Sequence, residues 1–356
     1  MNLTILDKSF EPVLILDSYK SLIWTDRYSE CGDFEITTAI DEKILSLVQR
    51  DYYITSPESD RVMCIETIHI NTDPENGSYI TLQGNSFEKV LSRRIVWGNV
   101  KLEAKKPHEI IKELLTICII SPENEKRKID KFVFKDPDPE KASRILGLES
   151  ADAQYTGDNL YDVVVNICKD NDMGFKITYD DETDIFTFEL YDGIDRSYNQ
   201  DANPYVIFSP EFDNLVTANY MESRAALKTV ALVNGATDTT EVDTFEFTGI
   251  DRRELYVEAR DITDFVDTVT GASDSGRVQR GKERLAEYAD ISSFEGQAET
   301  RIMFKYEQDF YIGDIVQFAD GYGHEAAARI VEIITSDSEE GVSVYPTFKT
   351  IQKEGE

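Results

Sequence analysis

Strict alternation of apolar and polar residues, repeated in segment after segment, constrains this chain most. Between Ser21 and Arg27, Leu22, Trp24 and Asp26 alternate with Ile23, Thr25 and Arg27. After a turn at Glu30 to Asp33, Phe34, Ile36, Thr38 and Ile40 alternate with Glu35, Thr37 and Ala39. Successive side chains of a strand point to opposite faces, so each segment predicts a strand with one buried and one wet face. Val62, Cys64, Glu66, Ile68 and Ile70 alternate likewise with Met63, Ile65, Thr67 and His69. The turn signal Asp73-Pro74-Glu75-Asn76-Gly77 follows, and Tyr79 to Leu82 returns. Short strands are predicted at Leu3–Leu6 and Val13–Leu16, as a hairpin, and at Tyr52–Thr55. Asn85 and Glu88 have the spacing of a capping box, which predicts a short helix through Leu91. Residues 1–98 read as one β-rich domain.

The pattern changes after Trp97-Gly98. Pro107 suits the first position of a helix, and Ile110, Ile111, Leu114, Leu115 and Cys118 recur at helical spacing. Glu123 to Lys128 reads as a solvated loop. Leu160, Val163, Val164 and Ile167 mark a second helix capped by Asp158 or Asn159. Phe175–Tyr179 and Ile185–Leu190 form a hairpin around Asp180-Asp181-Glu182. Residues 99–203 read as an α+β domain.

From Tyr191 to Ala236 the chain opens with an Asp192-Gly193 turn and then gives strands at Leu215–Met221 and Lys228–Val233. In the first, Leu215, Thr217, Asn219 and Met221 oppose Val216, Ala218 and Tyr220. Short strands at Phe245–Phe247 and Glu254–Val257, a Gly271–Gly276 linker and a helix at Arg280–Tyr288 follow. Strands return at Arg301–Tyr306, Ile315–Phe318, Ala328–Ile334 and Val342–Thr347.

An internal echo links the two ends. Tyr28-Ser29-Glu30, then Phe34–Ala39, parallels Tyr220 to Ser223, then Lys228–Val233. Arg50-Asp51-Tyr52-Tyr53-Ile54 parallels Gln308-Asp309-Phe310-Tyr311-Ile312. Each of the latter pair precedes a longer apolar strand. We read two copies of one β-fold. The second copy comprises residues 204–236 and 296–356, and a small domain is inserted at 237–295.

The 356 residues carry a formal net charge of −32. That argues against a sequence-reading nucleic-acid binder, which needs a basic face. No run of about 18 apolar residues indicates a membrane helix, and the N-terminus does not read as a signal peptide. Cys31, Cys64, Cys118 and Cys168 are far apart and read as buried apolar residues in a reducing compartment. His69, His108 and His324 form no H-E-x-x-H pair. Neither a phosphate loop nor a nucleophile elbow is present. With 69 Asp and Glu residues, spacing singles out no catalytic carboxylate pair. We therefore name no catalytic, cofactor-binding or metal-binding residue and expect no cofactor. Arg27 reads as an ion-pair partner of Asp33 or Glu35, and Trp24, Tyr28 and Phe34 as packing residues of the first β-domain.

Three blocks resemble a family of siphophage tail hub proteins related to the N-terminal domain of tail-associated lysins and to myophage baseplate hubs. They are Trp24 to Glu35, with Arg27, Tyr28, Gly32, Asp33 and Phe34. Then comes Asp192 to Ala236, containing DGIDRS, VIFSPEFDNL and KTVALVNGA. The third is Asp309 to Val316. The resemblance implies an α+β, β-rich chain with two tube-type β-barrel domains and two smaller inserted α+β domains. It implies a homotrimer whose pseudo-sixfold ring joins the hexameric tail tube to the tail tip and forms part of the DNA exit channel. Implied partners are tail tube, distal tail, tape measure and receptor-binding proteins, with DNA passing unbound. The implied location is the virion tail tip, after synthesis in the host cytoplasm. Many relatives carry a C-terminal peptidoglycan hydrolase. This chain stops just after its last strand, so no such activity is expected. The rival readings are a tail-associated cell-wall hydrolase, which zymography would reveal, the hub of a contractile tail or phage-derived injection particle, and a carbohydrate- or receptor-binding module.

Overall fold

The computed structural model describes residues 1–73, 77–243, 247–262, 275–298, 303–319, 321–323, 325–339 and 341–351. The alternating segments form one 13-stranded sheet. The N-terminal part supplies β1 (Leu3–Leu6), β2 (Pro12–Leu16), β3 (Ser21–Arg27), β4 (Asp33–Ala39), β5 (Tyr53–Ser56), β6 (Ser59–Asp73) and β7 (Gly77–Ser86). Helix α1 (Glu42–Leu47) starts on Asp41, whose side chain accepts from the Lys43 amide.

The middle of the chain contributes β8 (Asn99–Lys105), α2 (Pro107–Leu115), β9 (Phe132–Lys135), α3 (Ser143–Gly147), β10 (Ala151–Thr156), α4 (Leu160–Asp170), β11 (Gly174–Asp180) and β12 (Ile185–Tyr191). Pro107 opens α2 as expected, and Asn159 caps α4 by accepting from the Tyr161 amide at 3.0 Å. Strands β8, β9 and β10 lack a clean alternation and were not legible in the sequence. The core of this segment also takes in Cys31, Val62, Phe87 and Leu91 of the N-terminal part.

The rest supplies β13 (Ile207–Phe208), β14 (Leu215–Ser223), β15 (Val230–Asn234), β16 (Thr239–Asp243), β17 (Glu254–Glu258), α5 (Ser275–Ala286), β18 (Ile291–Ala298), β19 (Ile315–Ala319), β20 (Glu325–Ser338) and β21 (Gly341–Thr350). The sheet path runs β14-β18-β21-β20-β3-β4-β7-β6-β5-β1-β2, with β19 on β20 and β13 on β19. Both copies of the β-fold thus lie in one sheet, joined where β20 pairs antiparallel with β3. The path has two ends, so closed barrels are not found among the described residues.

Several expectations need correction. β14 and β15, which the echo matches to the end of β3 and to β4, do not pair with each other as β3 and β4 do. β15 joins β16 and β17 in a separate sheet against α5, and β14 pairs with β18. Sequence proximity is a poor guide here, because the strand that completes β14 comes after an insertion. The capping box does not form. Asn85 donates to Glu66 at 2.7 Å, while Glu88 is fully buried on Arg61, and a 3-10 helix runs from Phe87 to Arg93. The alternation of β6 breaks at a bulge between Ile65 and Thr67, and Val62 to Ile65 are buried on both faces. Met303–Tyr306 is not a strand, although Tyr306 bridges Phe310. The predicted Asn76-Gly77 turn falls largely outside the described residues. So do most of the Gly271–Gly276 linker, Phe245 and Glu246, Arg301 and Ile302, and His324.

The four cysteines are buried and make no disulfide. Trp24 and Phe34 lie in the core of the first β-unit, with ring centroids 6.5 Å apart. Trp24 is 1% exposed, so Trp24→Ala should lower unfolding free energy by about 3–5 kcal/mol. Chemical denaturation checks this. An unchanged melting temperature would instead show that the Trp24 ring contributes little to the core.

Candidate functional site

The strand pairings show that the two β-units repeat each other strand for strand. β5-β6-β7-β4-β3 in the first corresponds to β19-β20-β21-β18-β14 in the second. Both long strands carry a bulge at the same place, Ile65/Thr67 in β6 and Ile330/Glu332 in β20. The carbonyls of Ile65 and Ile330 accept from Asp51 and Gly313 at 2.8 Å each. Both of those residues have positive φ, 61° and 92°. The true repeat therefore aligns Asp51–Ile54 with Gly313–Val316, four residues away from the sequence echo. It aligns Trp24 with Tyr220, and β4 with β18 rather than with β15.

Eight strands, β14-β18-β21-β20-β3-β4-β7-β6, form a continuous run from one end of the sheet path. One face of β3, β4 and β7 is core: Leu22, Trp24, Phe34, Ile36, Ile80 and Leu82. The other carries hydroxyls, amides and acids, with Ile23, Ile334, Tyr345 and Lys349 among them. Register places Glu35 opposite Gln83, Thr37 opposite Thr81, His69 opposite Thr81, and Ser336 opposite Ser343. Gln83 donates to Glu35 at 2.6 Å. Arg27 is the cation at the centre of this face. It is clamped by Asp33 and Glu332, each at 2.6 Å. Of the two partners expected for Arg27, Asp33 is the one used. Glu332 was missed because it is 305 residues distant in sequence.

Parts of all three motif blocks, with DGIDRS from the second, meet at one junction, while KTVALVNGA lies apart in the β15–β17 sheet. Tyr28, at the end of β3, is 1% exposed. It does not pack in the first β-unit as expected. Its amide donates to Val331 in the β20 bulge, its carbonyl accepts from Phe175, and its hydroxyl donates to the Asp172 carbonyl at 3.1 Å. The Arg329 guanidinium lies 5.0 Å from its ring centroid, and Tyr191 meets it edge-on at 5.4 Å. A Cβ on Gly174 or Gly313 would come within 2.4 or 2.5 Å of the ring, so only glycine fits there. Beside it Asp314 accepts from the Ile194 amide and from Arg196, both at 2.8 Å. Arg144 pairs with Asp192 at 2.6 Å. DGIDRS and the Asp309–Val316 block are thus stitched together around Tyr28.

Residues 2–348 match the siphovirus ReqiPepy6 Gp37-like protein family. The chain belongs to that family of siphovirus tail proteins. No curated protein matches it. Its fold is similar to a tail protein from Neisseria meningitidis MC58, with TM-score 0.58 and 9% identity over 99% of this chain and 97% of that one. It is similar to the 43 kDa tail protein of prophage MuSo2 from Shewanella oneidensis, with TM-score 0.55 and 12% identity over 98% and 97%. Prophage tail protein gp18 from Listeria monocytogenes EGD-e follows the same fold, with TM-score 0.53 and 11% identity over 99% and 96%. Among the described residues no cluster of His, Cys, Asp and Glu could hold a metal, and no helix is long and apolar enough to cross a membrane.

Asp26 stands at the seam between the two β-units. It is 6% exposed and accepts from the Tyr306 hydroxyl at 3.3 Å, while its other oxygen has no partner. Burial, opposed by the nearby Arg61 charge, pushes its pKa up to about 6. A raised carboxyl favours the fold below about pH 4, and that contribution is lost as pH rises through about 6. Asp26→Asn should raise stability at pH 7 relative to pH 4 by roughly 2–3 kcal/mol compared with the unsubstituted protein. Urea denaturation at the two pH values reads this, and an unchanged difference contradicts it.

Proposed function

We propose that this siphovirus tail protein is a structural hub of the tail tip. Three chains form a ring that adapts the hexameric tail tube to the tip, and the polar face of the eight-strand run lines the DNA exit channel. The observation that carries this reading is the repeat itself. Each chain holds two β-units of identical strand order, laid side by side in one sheet, with one face core and the other polar. Three such chains present six similar units, the count needed to meet a sixfold tube. The two units are the tube-type domains, and the segments around α2–α4 and around β15–β17 with α5 are the smaller domains flanking them.

The chemistry of the face suits passage rather than grip. Duplex DNA carries one charge about every 1.7 Å of axis, and repeated inward cations would hold it. Here Arg27 is neutralised by two carboxylates, and the strands around it present Thr25, Thr37, Glu35, Gln83 and Thr347 together with Ile23, Tyr345 and the exposed cation Lys349 on β21. A net charge of −32 on the chain adds repulsion at long range. The role proposed is structural rather than hydrolytic. Its partners are the tail tube, distal tail, tape measure and receptor-binding proteins. The protein is made in the host cytoplasm and resides in the virion tail tip.

Two outcomes are expected. Cryo-electron microscopy of the tail tip should count three copies of this chain in one ring, and six copies would contradict the repeat-based design. A gel-shift assay with duplex DNA near 150 mM salt should show no binding. Micromolar or tighter affinity would contradict a channel built to let DNA slide.

A further inference from the structure

The seam inside the chain is a pattern for the seam between chains. In the internal seam, the distal half of β20 pairs with β3: Glu332 with Arg27, Ile334 with Thr25, Thr335 with Trp24, Ser336 with Ile23 and Ser338 with Ser21. The proximal half of β20 is occupied differently, by β19. The bulge at Ile330/Glu332 separates the two halves. β6 is built in the same way. Its proximal half pairs with β5, its bulge lies at Ile65/Thr67, and its distal half from Thr67 to Asp73 is bounded by β7. At the other end of the eight strands, β14 ends the path, and β14 is the counterpart of β3.

The correspondence can be carried through residue by residue. Ile65 pairs with Gly84, as Ile330 pairs with Phe348. Gly84 pairs with Phe34, as Phe348 pairs with Phe294. Phe34 pairs with Trp24, as Phe294 pairs with Tyr220. So Thr67–Asp73 stands where Glu332–Ser338 stands, and Thr217–Ser223 stands where Ser21–Arg27 stands.

We infer that the distal half of β6 in one copy pairs antiparallel with β14 of the next, in the register of the internal seam. Thr67 then lies opposite Ser223 of the next copy, His69 opposite Met221, Ile70 opposite Tyr220 and Asn71 opposite Asn219. This inference rests on the ring reading above and specifies the contact that closes it. The surface fits such an occupant. Ile70 is 51% exposed on a long strand at the sheet margin, a template that native proteins keep covered. In the inferred register, Ile70 meets the Tyr220 of the next copy on the core side, as Thr335 meets Trp24 within the chain. The contact joins two different surfaces, so it propagates head to tail and closes only by rotation. The internal seam already joins successive units in the same head-to-tail sense.

Disulfide trapping in assembled tails tests this. His69→Cys with Met221→Cys places the two thiols directly opposite, whereas His69→Cys with Ser223→Cys is displaced by two residues along the same face. Direct partners fall within disulfide reach and diagonal ones do not, so the first pair should give about tenfold more cross-linked product. Denaturing electrophoresis should show a ladder ending at covalent trimers. Three copies per ring with no 69/221 cross-link, or with preferential 69/223 cross-linking, overturns the register and leaves the ring standing. Covalent dimers from Met221→Cys alone show β14 paired with itself and overturn the head-to-tail contact. A ring of six copies removes the hub reading, and the absence of the 69/221 product from such a ring also overturns the strand pairing.

Discussion

Everything in this molecule is arranged around the buried Tyr28 ring. Three parts of the chain that are far apart in sequence press on it from different sides. The β20 bulge and Gly313 come from the second β-unit, Gly174, Phe175 and Tyr191 come from the α+β segment, and β3 carries it from the first. Arg329, buried against its face, is held by Asp172 at 2.6 Å and by the Gly313 carbonyl. A buried guanidinium needs such partners, and leaving it unpaired costs several kcal/mol. The two glycines are therefore not loop fillers, because any side chain there would collide with the aromatic ring.

The conspicuous charged residues of the blocks that carry the family resemblance are spent on one another at this junction. Trp24–Glu35, DGIDRS and Asp309–Val316 meet at the junction, where their polar groups satisfy one another. Asp314 is the clearest case. It is 2% exposed, and its two oxygens serve the Ile194 amide, the Tyr311 amide and Arg196. In this chain the charged motif residues mark a place where segments are fastened together. The opposite face of the sheet, around Arg27, Asp33 and Glu332, mixes threonines, serines and amides with Ile23, Tyr345 and Lys349.

Local physics was legible in the sequence, and long-range pairing was not. Alternation located β3, β4 and β7, and Pro107 and Asn159 located the starts of two helices. The same alternation failed in β6, where a bulge shifts the phase and both faces are buried before it. β18 was hidden because its partner β14 lies before an insertion with its own small sheet. The repeat was visible as an echo, but four residues out of register at Asp51–Ile54. Tyrosines and phenylalanines match by type even where the backbone does not. The real signature was conformational: two positive-φ residues, Asp51 and Gly313, each bonded to a bulge carbonyl. One is an aspartate and the other a glycine, so residue identity could not reveal it. The Arg27–Glu332 pair and the Asp26 seam likewise depend on β20 meeting β3, which no local pattern encodes.

The insertion between β14 and β18 has a consequence for how such a chain can change. In the first β-unit the corresponding connection, from Arg27 to Asp33, is a tight turn. In the second it leaves the sheet at Ser223, builds β15–β17 and α5, and returns at Ile291. The two ends of that excursion are held at neighbouring strand positions by the β14–β18 ladder, Ser223 opposite Ile291. Lengthening a connection whose ends are already fixed adds only slowly to its closure entropy. The β14–β18 turn is thus a splice point. A module of different size or chemistry could be grafted there and carried beside the sheet while the β14–β18 ladder and the β20–β3 pairing stay as they are.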